Sequence, residues 1–205
     1  MQASFIRNQS LLQAKRLGYS RTPPLPLMEC EILQLRPQQV VAERALALSA
    51  VVAISFGLDR SSGRSWLERE GLRGALSAAE SSFVEDARSA VASTFQAQVE
   101  ALGIFAWALG YAPTLQFDQP LPFNLVKIYP DLRNKESSLR FIGACRLRAR
   151  DELISTLDLA YCLHWCSVDA PRPLTSSLLH GVAERRRALE WMLSTEDWEA
   201  ISLDT

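Results

Sequence analysis

The chain has 205 residues, 48% of them hydrophobic, with 22 basic and 23 acidic side chains, two histidines and a formal charge of −1. A chain of this length removes roughly 70% of its extended surface from water, enough for one core without disulfide or metal staples. The near-neutral balance excludes a globally basic nucleic-acid coat or a polybasic membrane binder, both of which need net positive charge.

The first ten residues, Met1-Gln-Ala-Ser-Phe-Ile-Arg-Asn-Gln-Ser10, lack the apolar run and cleavage site of a secretory signal, so a cytoplasmic location is expected. Residues 1–28 carry Arg7, Lys15, Arg16 and Arg21 with no acid. Phe5, Leu11, Leu12 and Leu17 predict a short amphipathic helix over Ser4 to Leu17, stopped by Gly18. Thr22-Pro-Pro-Leu-Pro-Leu27 is an extended connector, and residues 1–35 together are expected to form an arm ahead of a helical domain over 36–205. Pro37 opens a helix that runs to Gly57 and is apolar round most of its circumference, hence central. The longest apolar stretch, Val40 to Phe56, contains Glu43 and Arg44 and is too short and polar to span a membrane.

Loop signals at Asp59 to Arg64 precede a short helix around Trp66 to Glu70, and Ser77-x-x-Glu80 is a capping box opening a helix that includes Phe83. From about Ala87 the residues Val91, Phe95, Leu102, Phe105 and Leu109 recur at helical spacing up to Gly110. Prolines at 113, 120, 122 and 130 then break any helix over 111–135, a length of irregular chain that is either functional or hides a weak element. Phe141 to Arg148 fits strand or helix equally. A helix from about Ala149 carries Leu153, Leu157, Tyr161, Trp165 and Val168 and is ended by Pro171 and Pro173. A last helix spans about Val182 to Leu193, before a short tail. The pattern predicts a mainly α fold: a single compact multi-helix domain with a long Pro-containing loop and room for one or two short strands.

No G-x-G-x-x-G, Walker A, G-x-S-x-G or H-E-x-x-H motif occurs, so no cofactor is expected and no residue is assigned a catalytic role. Cys162-x-His164-x-Cys166 suggests a metal knuckle. On a helix, however, Cys162 and Cys166 share a face while His164 points about 160° away, so the three cannot converge on one ion and no metal site is expected. His180 belongs to a turn before the last helix, and His164, beside Trp165, fits a hydrogen-bonded structural role better than a general base.

Charges placed on apolar helix faces are more informative. Asp158 and Arg186 fall on or beside the stripes of their helices, and Glu43-Arg44 and Glu184-Arg185 pose the same problem. Burying any of them alone costs several kcal/mol, so each requires a partner. Two outcomes are open: an internal salt-bridge cluster that fixes helix register, or a polar pocket built from Arg44, Asp158, His164, Trp165, Glu184, Arg185 and Arg186. Five tryptophans, at 66, 107, 165, 191 and 198, are expected as core wedges, with one or two free to wall a cleft.

Asp151-Glu-Leu-Ile-Ser-Thr-Leu-Asp-Leu-Ala-Tyr-Cys-Leu-His-Trp165, Glu184-Arg-Arg-Arg-Ala-Leu-Glu-Trp191, Asp197-Trp198 and the end of the chain form an ordered set with Val40 to Leu48 and Glu100 to Gly110. This set resembles a bacterial family of domains of unknown function, number 4272 of that series, over roughly residues 36–205. The resemblance implies a small bacterial intracellular protein and transfers no catalytic residue. Where the family often has a basic residue before Leu-His-Trp, this chain has Cys162. The function expected is a non-enzymatic protein-interaction module, an adaptor or immunity-type protein whose partner is another protein or a second copy, with no membrane. The alternative is an enzyme or small-ligand-binding protein using the polar pocket. Nucleic acid comes third, through residues 133–150, where six bases face one acid.

Overall fold

The computed structural model describes residues 2–19, 21–86, 92–117, 125–169 and 176–204, apart from the side chains of 126 and 176–180. The protein is mainly helical, and no strand occurs among the described residues. The chain gathers into two compact units. One consists of Met1–Arg36, Gln116–Pro120 and Arg148–Thr205; the other of Pro37–Leu115 and Leu121–Leu147.

The first unit joins the two ends of the chain. Helix α1 (Ala3–Arg16) packs along α9 (Arg150–Asp169), which also packs against α10 (Ser176–Met192). Gly18 ends α1 by adopting φ +94°, a left-handed conformation that costs glycine least. The face α1 turns inward differs from that predicted. Ile6, Arg7, Ser10 and Ala14 are buried, whereas Phe5 and Leu12 remain half exposed. Small Ser10 and Ala14 permit close approach of the helix to its neighbour beside the buried Ile6, while Phe5 and Leu12 are turned out. Helix α10 begins earlier than predicted and places His180 on helical backbone; its side chain lies outside the described residues, as do Pro171 and Pro173. At its other end, the Gln34 and Arg36 amides donate to the Leu193 and Met192 carbonyls at 2.9 Å, and Arg36 Nε donates to Trp191 O at 2.7 Å. Three carbonyls that a helix terminus leaves without partners are thereby satisfied by one extended segment, and the Arg36 charge complements the helix dipole.

In the second unit α2 (Gln38–Ser55) is central. Against it lie α3 (Arg60–Arg69), α4 (Ala78–Glu85), α5 (Ala92–Gln96) and α6 (Val99–Ala108). Pro37 stands at the N-cap of α2 and Gly57, at φ +97°, follows its end, as their residue types predict. Asp59 to Arg64, expected as loop, instead starts α3: the Asp59 carboxylate accepts the Ser62 amide at 2.8 Å as an N-cap. The capping box of α4 forms as predicted from Ser77 and Glu80. The apolar run toward Gly110 is divided, with α5 and α6 separated at residues 97–98. Among the described residues of 111–135 there is one weak element, α7 (Leu125–Ile128), and the ambiguous segment 141–148 is helical only to Ala144, where α8 (Leu139–Ala144) ends. Phe83 stacks on Phe95 with ring centroids 4.3 Å apart, while Phe141 lies 4.6 Å from Tyr111 and 5.2 Å from Tyr129. Trp66 is fully buried and donates its indole N–H to the Glu136 carbonyl at 2.7 Å.

Candidate functional site

The seven residues singled out in the sequence are distributed among separate clusters. In the second unit Arg44 and Glu80 form a buried bidentate pair, Nη1 to Oε2 at 2.5 Å and Nη2 to Oε1 at 2.6 Å, and Nη1 also donates to the Ala75 carbonyl. Glu80 accepts the Ser77 amide as well, so one carboxylate both closes a helix cap and neutralises a cation on α2. The remaining six residues lie in the first unit.

Asp158, on α9, finds its partner 151 positions earlier. Arg7 Nη2 donates to Asp158 Oδ1 at 2.8 Å, and Arg7 Nε lies 3.1 Å from both carboxylate oxygens. The remaining Arg7 donors reach the Leu25 and Pro26 carbonyls at 2.9 Å. One planar guanidinium thus ties α1, the Pro-rich segment and α9 together, a role that the fork geometry of Arg permits and Lys does not. Burial opposes the Arg7 charge, but the hydrogen bond and charge of Asp158 outweigh it and raise the Arg7 pKa. Cys162 Sγ lies 4.0 Å from Asp158 Oδ2; burial first, then that carboxylate, pushes the thiol up to about 12 and keeps it protonated.

Arg186 is a second hub. Nε donates to Glu190 Oε1 at 2.7 Å, Nη1 lies 3.0 Å from His164 Nδ1, and Nη1 reaches the Asp204 and Leu203 carbonyls at 3.1 and 3.3 Å. Its guanidinium carbon stands 4.2 Å from the centroid of the Tyr161 ring. Because Arg only donates, His164 Nδ1 must accept and be unprotonated. Burial and then the Arg186 charge lower the His164 pKa to about 4, so the ring is neutral at physiological pH. Burial raises the Glu190 pKa, with Arg186 opposing that shift. His164 and Arg186, two of the seven residues placed together in the candidate pocket, are direct neighbours, and Arg7, Glu80 and Glu190 are partners that the sequence reading did not assign. Arg185 donates to the Gln116 carbonyl at 2.7 Å and lies over Phe117; Glu184 stands 3.4 Å from Arg187 Nε; Arg21 lies 5.9 Å from the Trp165 ring centroid.

The first unit also carries an open groove of about 540 Å³, lined by Asn8, Leu11, Leu12, Lys15, Tyr19 and Arg21. None of these was among the predicted site residues. The available signals were the acid-free composition of residues 1–28 and the amphipathic spacing of α1. Tyr19 anchors the far wall, its hydroxyl 3.4 Å from Ser167 Oγ on α9.

The Cys-x-His-x-Cys residues diverge: Cys166 Sγ faces the Arg21 carbonyl at 3.7 Å, Cys162 faces Asp158, and His164 faces Arg186. No described helix is long and apolar enough to cross a membrane. The family model for the domain of unknown function DUF4272 matches residues 6–201. The chain belongs to the DUF4272 family. The match begins thirty residues ahead of the resemblance seen in the sequence, and so takes in Arg7 and the groove-lining part of α1. No curated protein and no solved structure matches this DUF4272 chain.

Proposed function

We propose that this DUF4272 protein is a non-enzymatic interaction module of the bacterial cytoplasm, an adaptor or immunity-type protein that engages another protein by surface complementarity. The observation that carries this reading is the exposed outer face of α1: opposite the buried Ile6, Arg7, Ser10 and Ala14, the helix leaves Phe5 and Leu12 half exposed, with the cations Lys15 and Arg16 in its last turn. An apolar strip flanked by charge is the anatomy of a protein-recognition surface, with burial supplying affinity and charge supplying steering and choice of partner. On this reading Arg44, Asp158, His164, Trp165, Glu184, Arg185 and Arg186 fix helix register rather than meet a ligand, since such groups specify one arrangement of helices more than they stabilise it. Four buried free thiols accord with a reducing compartment.

The test is recovery of the protein from its own cells at native abundance, followed by size exclusion at physiological salt. Co-migration with one protein partner in stoichiometric amount is expected. Migration as the free chain at every salt concentration, with in-cell crosslinkers yielding no adduct, would overturn the reading.

A further inference from the structure

Resting on the interaction reading above, we infer that the outer face of α1 is the docking site and that its occupant is an amphipathic helix with acidic flanks. Within α1, positions 5, 8, 12 and 15 succeed one another at the three- and four-residue spacing that aligns side chains on one helical face. They place Phe5 and Leu12 in a row with Asn8 and Lys15; Asn8, Leu12 and Lys15 line the groove with Leu11, and Tyr19 and Arg21, beyond the end of α1, line it as well. At 1.5 Å per residue the ten steps from position 5 to position 15 span about 15 Å, close to three helical turns, a length suited to a partner helix rather than to a small ligand. The two apolar members of the row, Phe5 and Leu12, are 53% and 52% exposed, so the apolar surface is present and uncovered within the first unit.

Charge selects the occupant. α1 contains no acid, its Arg7 is already neutralised by Asp158, and among the described residues Lys15 and Arg16 meet no carboxylate. A partner with Leu or Ile at heptad-like spacing and Asp or Glu beside it would cover the apolar row and supply the missing anions, as helices do in hydrophobic grooves. A second α1 would bring like charges together. An anionic bilayer is a poorer match, because a groove is concave and a few cations give weak attraction to lipid headgroups.

The experiment selects from a displayed library of 16-residue helices with fixed Leu at positions i, i+3, i+7 and i+10 and random residues elsewhere, using the intact protein as bait. Selected peptides are expected to be enriched in Asp and Glu. Their affinity should fall at least tenfold for Lys15→Glu and for Leu12→Asn, substitutions at exposed positions whose folding is checked by far-UV dichroism, and should be unchanged for Leu139→Asn in the second unit. Enrichment of basic flanks, indifference to both α1 substitutions, or binding of phosphatidylglycerol vesicles that the acidic peptides do not displace would overturn the inference. A photo-crosslinking residue at position 12 or 139 in cells separates the two proposals. Adducts from 12 that acidic peptide displaces support both; adducts from 139 alone, or none from 12 while the protein still co-migrates with a partner, overturn the docking site and leave the interaction module standing; none from either position together with migration as the free chain overturns both.

Discussion

At the scale of single residues, the buried ion pairs carry a measurable asymmetry. Arg44 and Glu80 are almost wholly removed from water, so Arg44→Met should strand the Glu80 carboxylate and cost about 3–5 kcal/mol in urea unfolding. Adding Glu80→Gln should recover most of that loss, because the glutamine amide removes the charge yet still accepts the Ser77 amide in the capping box. A double variant no more stable than the single one would show that the pair itself supplies the stability. His164 gives a pH signature of definite sign. Its folded-state pKa is depressed from 6.5 to about 4, so between these values the unfolded chain binds more protons than the native one. Stability is therefore complete above about pH 6.5 and declines as pH falls toward 4, by on the order of 3 kcal/mol. Since other acid-sensitive groups titrate in this window, the measurement is the difference between the wild type and His164→Gln, whose slope should be shallower; identical slopes would refute the assignment. Arg44, Asp158 and Arg186 stand out in the sequence as charges on apolar helix faces, and Ser77 with Glu80 as a capping box. Their partners were not legible, because helical periodicity states that Asp158 is buried but contains nothing about a guanidinium 151 residues away at position 7.

At the scale of elements, local signals located the caps better than the faces. Gly18, Gly57 and Gly110 all take positive φ just beyond helices whose ends their positions predict. Two of them differ in surroundings, which separates strain from contact. A Cβ at Gly57 would meet nothing within 4 Å, whereas one at Gly110 would lie 3.1 Å from the Arg146 carbonyl oxygen. Gly57→Ala should thus cost only the left-handed strain, about 1–2 kcal/mol. Gly110→Ala should cost more, because Arg146 cannot withdraw without lengthening the 2.8 Å bond from its amide to the Leu109 carbonyl. Equal losses in thermal unfolding would mean that this contact relaxes freely. The facing of α1 was misjudged for a related reason. Hydrophobicity alone orients Phe5 and Leu12 inward, but close packing against α9 is governed by the small residues Ser10 and Ala14 and by the Arg7–Asp158 pair, and these outweigh two larger side chains. The same limit applies to Asp59-Arg-Ser-Ser-Gly, whose composition signals a loop while Asp59 in fact serves as the N-cap of a helix.

At the scale of the whole molecule, chain order and spatial order diverge. The first unit is assembled from residues near both termini, while the second is continuous from Pro37 to Leu147 apart from 116–120. A continuous unit with its own core should fold without the rest. Trp66, Phe83, Phe105, Leu46, Leu48 and Leu67, among the largest fully buried side chains, all lie within it, and full burial of each is worth about 1.5–3 kcal/mol. Its polar ties are also internal: Arg44 to Glu80, Trp66 to the Glu136 carbonyl, Tyr129 to the Leu102 carbonyl at 2.8 Å, and Glu70 to Ser138 at 2.7 Å. Its two ends meet, because the Leu147 amide donates to Gln38 Oε1 at 2.9 Å, so excision after Arg36 and after Leu147 breaks few of its own bonds. A fragment of residues 37–147 is accordingly expected to show helical dichroism and one cooperative urea transition, which Arg44→Met weakens as it does in the full chain. A linear, featureless urea response from the fragment would mean that this core is insufficient alone, whereas a complementary fragment of 148–205 is expected to stay unfolded, since it lacks the Arg7 that Asp158 requires once buried.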